Sequence, residues 1–474
     1  KVVGWEHHGY VGFMPGIYKS ERVVSPPRTD LADPGQPFRA DLGAGVSALV
    51  PLALYEDEQG TLPHAAAPAK GPDKADAYSA SDRATRLAGV ALGWNVPQHF
   101  YPYFDVVPVD WPAVLRTSLK AAATDADERA FLDTLRRMIA ALQDGHGSVW
   151  HKSDPWTHRL PLLWDWIDDR LVVTRVAPQG TPQGTGPGAG LQRGDVVLKI
   201  DGRPAAEVVA ARDELFAGAT AAFRRVSNVF ALALGAQDTE VRLEVRHPSG
   251  ETAALVLRRT IPSFGPGALE EARPEKLAEL RPGIFYLDGE RVRDEDFLGA
   301  IDRLASAKGI VIDFRGHPGG LSPVVLAHLT HKPLVFGGAD SIPVNTRPDR
   351  QGTRFEPVAG QPIQPLAPRL RANVAFLTSA MTVSYPESFL MPVELSHLAE
   401  IVGTPTAGTT GNFAPFELPG GYRVFWTAMR VTKPDGLRFH GVGIQPTVRA
   451  VPTLRGVIEG RDEVLEKAVE VVSR

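Results

Sequence analysis

The sequence predicts a mixed α/β protein of several domains. Three observations lead there. The first 60 residues are β-rich and aromatic, as in Gly9-Tyr10-Val11-Gly12-Phe13 and Val46-Ser47-Ala48-Leu49-Val50. Helical periodicity takes over from Asp82. From about residue 280, apolar strand patterns alternate with helical ones, which argues for a largely parallel sheet.

Taken in order, residues 1–80 read as a β-rich segment followed by a linker. The stretch 57–80 is crowded with Ala, Gly, Pro, Asp and Lys, the composition of an exposed loop. Residues 81–157 read as a small helical domain. Its helices are expected from Asp82, over 111–123 and over 125–142, the last with an acidic first turn. Between the first two lies His99-Phe100-Tyr101-Pro102-Tyr103-Phe104, a packing cluster by its apolar area. Residues 158–262 form a β unit with one or two helices. Leu171-Val172-Val173-Thr174-Arg175-Val176 is one strand and Val241-Arg242-Leu243-Glu244-Val245-Arg246 alternates as another. Residues 263–474 complete the chain as an α/β core, with strands expected at 284–287, 309–314 and 374–377, and helices over 294–307 and 321–329. Residues 338–370, rich in Pro, Arg and Gln, read as an inserted loop or hairpin.

Composition narrows the function. A length of 474 residues allows two to four domains. With 43% hydrophobic and 22% charged residues, the chain has the make-up of an ordinary globular protein. A formal net charge of −4 gives no reason to expect nucleic acid as a partner. No apolar run is long enough to cross a bilayer. The absence of cysteine excludes disulfides, thiolate metal sites and a cysteine nucleophile. It also fits a bacterial periplasmic or secreted protein. The start at Lys1 fits a processed or trimmed form whose targeting segment is not in this chain.

Ser384 is the best candidate for an attacking atom. It lies in Leu377-Thr378-Ser379-Ala380-Met381-Thr382-Val383-Ser384-Tyr385-Pro386-Glu387, where a strand pattern gives way to a helix pattern. A helix N-terminus favours developing negative charge. Ser384-x-x-Glu387 is equally the signature of a capping box, and the two roles are compatible. Asp144-Gly145-His146-Gly147 offers an imidazole as base. Gly316-His317-Pro318-Gly319-Gly320 offers backbone amides that can approach a carbonyl oxygen closely, with a plain tight turn as the other reading. No Gly-x-Ser-x-Gly surrounds Ser384, and the P-loop Gly-Lys-Ser/Thr is absent from the glycine turn. There is no His-Glu-x-x-His, His328 and His331 lack a local acidic ligand, and His7-His8 is too short a signal. The sequence therefore calls for no metal and no cofactor.

These clusters, in this order, resemble the S41 peptidase family, which includes the C-terminal processing (tail-specific) proteases and the core of tricorn protease. Five stretches carry the resemblance. They are 190–202 (like a bacterial PDZ core), 310–320 (strand and glycine turn), Ser384-Tyr385-Pro386-Glu387, 401–408, and His440-Gly441-Val442-Gly443-Ile444-Gln445-Pro446. The resemblance implies a crotonase-like α/β core with a helical cap and a PDZ-like domain. It implies a serine endopeptidase acting on a peptide or unfolded protein substrate. The processing branch uses a Ser–Lys dyad, but the lysine's place holds Thr409-Thr410-Gly411. The tricorn-like branch uses a histidine from an Asp-x-His-type motif, and His146 occupies that place. The resemblance thus implies a Ser384–His146 pair, with Tyr385 and Gly319 or Gly320 amides as the oxyanion hole. Where that branch has an orienting glutamate, the corresponding place in this chain is near His440, which cannot supply a carboxylate. Glu387, Glu417 and Asp435 are the substitute carboxylates, and the choice among them stays open. Two other functions remain in view: a non-catalytic ligand- or peptide-binding protein on the same fold, and an acyl-transfer enzyme of the crotonase type. Oligomeric state has no signal in the sequence.

Overall fold

The computed structural model describes residues 1–10, 16–64, 78–154, 156–178 and 190–474. Part of the expected linker, 65–77, and most of the Gly/Pro-rich loop before Gly190 lie outside them. The chain forms two compact units. One gathers Lys1–Met138, Asp340–Ala359 and Asn412–Arg430; the other gathers Ile139–Ala339, Gly360–Gly411 and Val431–Arg474.

The first unit is built on an antiparallel sheet. Strand Val2–His8 pairs along its whole length with Lys19–Ser25, and its two ends pair with Ala53–Asp57 and Ala339–Asn345. The latter strand pairs in turn with Arg354–Pro357, so this part of the inserted segment is a hairpin. Helices Arg83–Phe100 and Trp111–Ala122 start where the sequence supplies caps: Asp82 accepts the Thr85 amide and Asp110 accepts the Ala113 amide, both at 2.9 Å. The aromatic cluster packs inward. Tyr101 and Tyr103 are buried, and the Tyr101 ring meets Phe104 edge-on with centroids 5.2 Å apart.

The second unit holds the sheet on which the candidate site is built. Strands Ile284–Asp288, Gly309–Asp313, Asn373–Thr378, Glu400–Gly403 and Val448–Arg449 run parallel, and Leu277–Arg281 closes one edge antiparallel. Strands Ile284–Asp288 and Gly309–Asp313 are wholly buried, which is why they read as apolar runs without alternation. Helix Glu463–Val472 lays Val464, Ala468, Val469 and Val472 on Ile284, Tyr286, Val311, Ala375, Leu377 and Val402. Each buried valine there contributes about 1.5–3 kcal/mol. Phe389 of helix Tyr385–Ser396 meets Phe314 edge-on at 4.8 Å and Phe376 at 6.0 Å.

Two helices differ from expectation. The one expected over 294–307 breaks at Ala300 into Asp294–Gly299 and Ile301–Ala305, beside the poor helix former Gly299. The one expected from 321 begins only at Val324, after Pro323. Residues before it are held otherwise: Gly320 bridges to Arg293 in parallel, and the Ser322 amide donates to Asp294 at 2.7 Å.

The same unit contains an antiparallel sheet of Leu162–Ile167, Arg170–Val176, Val196–Ile200, Glu240–Arg246 and Thr252–Arg258. Helices Ala205–Arg212 and Ala221–Leu232 close one face over a core that includes Leu171, Val173, Val209, Val229 and Leu243. Its turn at Asp201-Gly202 has φ of 47° and 81°, left-handed values that Asp tolerates and Gly adopts freely.

Candidate active site

The site lies where two parallel strands end. Gly309–Asp313 runs into the glycine turn, and Asn373–Thr378 runs through a short loop to Ser384. Ligands of parallel α/β sheets bind beyond such carboxyl ends.

Ser384 precedes helix Tyr385–Ser396 as its N-cap, with φ 71° and ψ −119°. A non-glycine residue with positive φ is strained by about 1–2 kcal/mol, and such strain gathers at functional sites. No glycine neighbours impose this conformation. The surrounding hydrogen bonds do. The Ser384 amide donates to the Thr409 carbonyl at 2.8 Å and to Glu387 Oε2 at 3.0 Å. The Ser384 carbonyl accepts the Glu387 amide at 2.9 Å and the Thr410 hydroxyl at 3.0 Å. Thr382, two residues before, donates its hydroxyl to the Phe314 carbonyl at 2.7 Å, tying this loop to the neighbouring strand end.

Glu387 is fully buried. Its carboxylate accepts four bonds, from Ser384 N–H (3.0 Å), the Thr406 hydroxyl (2.5 Å), Gly408 N–H (2.7 Å) and Thr409 N–H (3.0 Å). Burial pushes its carboxyl up to about 8, and the four donors pull the other way. The capping position read from the sequence is therefore occupied as expected. As the acid that orients His146, Glu387 is not supported, since these four bonds go to the Ser384 backbone and the 404–411 loop. Nor do the other two carboxylates serve. Glu417 is exposed and pairs with Arg423, and Asp435 is exposed and accepts the Leu437 amide.

The loop carrying His146 meets the Ser384 turn through Thr409. The Thr409 hydroxyl accepts the Gly145 amide at 3.0 Å, while the Thr409 carbonyl accepts the Ser384 amide at 2.8 Å. The fit is close: a Cβ on Gly145 would stand 2.6 Å from that hydroxyl oxygen. Asp144, fully buried, accepts the His146 amide at 3.0 Å. Burial pulls the His146 imidazole below its usual value, the Asp144 carboxylate opposes this, and His317 adds to it. His317 in turn sits with its ring 6.2 Å from that of Tyr385, whose hydroxyl reaches the Leu321 carbonyl at 3.3 Å. The glycine turn, the helix start and the His146 loop are thus neighbours.

The glycine turn is anchored by charge. Buried Asp313 accepts from the Arg315 guanidinium and from the Tyr286 hydroxyl, and Arg315 continues to Asp462 at 2.7 Å. Arg315 holds the Asp313 carboxyl below the usual range against the opposing effect of burial. Gly319 faces the Glu290 carbonyl, 3.1 Å from where a Cβ would stand.

His440 joins the same site. It is 2% exposed, and its Nε2 lies 3.0 Å from the Gln143 carbonyl. Sequence reasoning missed three contributors: Asp144 as the buried carboxylate beside both His146 and His440, Thr409 as the bridge, and His317 at the junction. The Asp-Gly-His-Gly string was the one available signal for the first. Among the described residues, no group of His, Cys, Asp and Glu could hold a metal ion, and no helix is long and apolar enough to cross a membrane.

Residues 284–450 match the family model of Peptidase family S41. That span carries the glycine turn, Ser384, Glu387, Thr409 and His440, while His146 precedes it. The fold of the chain is similar to that of mature CPAF, at 16% identity and a TM-score of 0.63, covering 82% of this chain and 97% of that one. It is likewise similar to mature CPAF complexed with lactacystin, at 15% identity and a TM-score of 0.64, covering 82% and 98%. Among curated proteins none matches. The S41 span and this shared mixed α/β architecture agree with the order of elements described above.

Proposed function

We propose that the chain is a serine endopeptidase of the S41 type, acting on unstructured polypeptides. His146 takes the proton from the Ser384 hydroxyl as its oxygen attacks the scissile carbonyl. The oxyanion accepts hydrogen bonds from the Tyr385 and Gly319 amides, each donor being worth about 10²–10³ in rate. Gly320 is the lesser candidate, because its backbone is engaged in the bridge to Arg293. His146 then gives its proton to the leaving amine, and water releases the acyl group by the reverse sequence. A burial-lowered pKa keeps His146 neutral and able to accept a proton near pH 7.

The observation that carries this reading is Thr409, which hydrogen-bonds both the nucleophile's amide and the amide preceding His146. The antiparallel sheet within 158–262 would hold substrate as an added strand, in the manner of a PDZ domain. The cysteine-free composition motivates a bacterial periplasmic or secreted location, which cell fractionation would test.

The deciding experiment uses an internally quenched peptide blocked at both ends, together with a fluorophosphonate probe. Wild type should cleave the peptide and label at Ser384. Ser384→Ala and His146→Ala should do neither while remaining folded. A folded wild type that never labels would leave the non-catalytic binding protein as the better account.

A further inference from the structure

We propose that the first unit carries a binding site for a monocarboxylate with an apolar body, held by the guanidinium of Arg350. The site is a pocket of about 370 Å³, within the size range of small-ligand sites. Its walls are the loop after helix Arg83–Phe100, the turn joining strands Ala339–Asn345 and Arg354–Pro357, and Arg430. All of these belong to the first unit. Nothing in this site depends on the hydrolase reading above.

The charged groups around the pocket are in different states. Arg430 stacks on the Phe355 ring, 4.7 Å from its centroid, and pairs with Asp105 at 2.7 Å. Asp349 is taken by Arg347 through two bonds, of 3.0 and 3.1 Å. Arg350 stacks on Phe104 at 4.7 Å in the same way, yet makes no ion pair among the described residues. Its side chain has one long hydrogen bond, 3.4 Å from Nη2 to the Tyr101 carbonyl, and its buried Nε has no partner. A guanidinium offers five donors, and burying it unpaired is costly. Burial pulls the Arg350 guanidinium below its ordinary value, with only Asp105 opposing. The turn holds the residue there all the same. Arg350 has φ 61°, a left-handed value uncommon outside glycine, and its carbonyl accepts both the amide (3.1 Å) and the hydroxyl (2.8 Å) of Thr353.

These groups select the chemistry of the ligand. Asp105 and Asp349 neutralise Arg430 and Arg347, so one positive charge is left over, and a dianion such as phosphate is disfavoured. The planar fork of Arg350 matches a carboxylate, whose two oxygens can take two of its N–H groups. Pro102 and Phe355 offer an apolar wall to the rest of the molecule. An N-acylated hydrophobic amino acid and the C-terminus of a peptide share this chemistry.

The test is calorimetric titration of the full chain with N-acetyl-leucine and with N-acetyl-leucinamide, which replaces the carboxylate by an amide. The acid should bind at least about tenfold more tightly than the amide, and inorganic phosphate more weakly than the acid. Arg350→Gln should weaken binding of the acid by about tenfold or more, while melting at or above the wild-type temperature because no native ion pair is lost. Asp105→Asn leaves Arg430 unpaired as well, and should bind the acid a few-fold more tightly. Acetyl-trialanyl-leucine, titrated in the Ser384→Ala background to prevent turnover, separates the two sources. Tighter binding than N-acetyl-leucine makes the ligand a peptide end, and equal or weaker binding makes it a small acid. The proposal is overturned if the acid does not bind, if the amide or phosphate binds as tightly, or if Arg350→Gln binds the acid as wild type does. Weaker binding of the acid by Asp105→Asn would overturn it too.

Discussion

Thr409 accepts the amide of Gly145 on its side-chain oxygen, at 3.0 Å, across 264 residues of sequence. Its own carbonyl takes the Ser384 amide. A single buried threonine thus sets the spacing between the loop that carries the imidazole and the turn that carries the hydroxyl. The neighbouring Thr410 bonds the Ser384 carbonyl and the Ser388 hydroxyl. These two adjacent hydroxyls act as a clasp on the Ser384 turn.

That clasp can be measured by a double-mutant cycle. Gly145→Ala forces a Cβ within 2.6 Å of the Thr409 hydroxyl oxygen. Thr409→Ala removes the acceptor and leaves the Gly145 amide without it. Each change should cost about 1–3 kcal/mol in urea denaturation. The double variant should cost less than the sum by at least about 0.5 kcal/mol, because alanine at 409 removes the hydroxyl and methyl that the new Cβ meets, although its own Cβ, 2.8 Å away, still crowds it. Strict additivity would mean that the two residues are not energetically coupled.

Ser384 should trade stability for its hydroxyl. Its φ of 71° suits glycine and penalises alanine. Both Ser384→Gly and Ser384→Ala should be inactive, but the glycine variant should be more stable than the alanine variant by about 1–2 kcal/mol. Thermal melts of the two side by side provide the check, and the reverse order would show that the turn is not strained.

Arg315 should matter more for stability than a surface arginine would. Arg315→Ala strands buried Asp313, which keeps the Tyr286 hydroxyl but loses its chief cation. A cost of about 3–5 kcal/mol is expected, with slower labelling of Ser384 as the glycine turn loosens. Arg315→Lys should fall between, since an ammonium cannot bond Asp313 and Asp462 with the same planar fork. A cost under about 1 kcal/mol for the alanine variant would remove this network from the account of the site.

Acid should act through His440. Burial, the largest cause, pushes its imidazole down to about 4 from an ordinary 6.5, with Arg438 and His146 adding to the effect and Asp144 and the Gln143 carbonyl opposing it. The unfolded chain then binds the proton more readily than the folded one. The sign follows: this stabilisation is fully present above about pH 6.5 and is lost as pH falls through about 4, on the order of 3 kcal/mol. Urea melts at about pH 7.5 and about pH 4.5 should show wild type losing more stability than His440→Phe. Equal losses would mean that the ring is protonated without penalty.

The parallel sheet was legible because its strands are buried on both faces and so read as uninterrupted apolar runs, such as Ile310-Val311-Ile312 before Asp313. Ser384 was legible because strand pattern changed to helix pattern around it. Thr409 was not, because its role depends on a hydroxyl meeting an amide brought in by folding, and no local pattern announces that. Asp144 lay in a quoted motif, yet its place beside two imidazoles depends on His440 arriving from the far end of the chain. The break at Ala300 was hidden because a single glycine is often tolerated inside a helix.

The pairing of Val2–His8 with Ala339–Asn345 has a consequence for biosynthesis. The opening strand leaves the ribosome more than 300 residues ahead of this neighbour, and the last segment of its unit is complete only at Arg430. During translation, part of that strand's edge must wait unpaired, open to wrong partners. Synthesis therefore calls for shielding of that strand, and a chain cut before Ala339 would leave His7 and His8 without the neighbours they pair with.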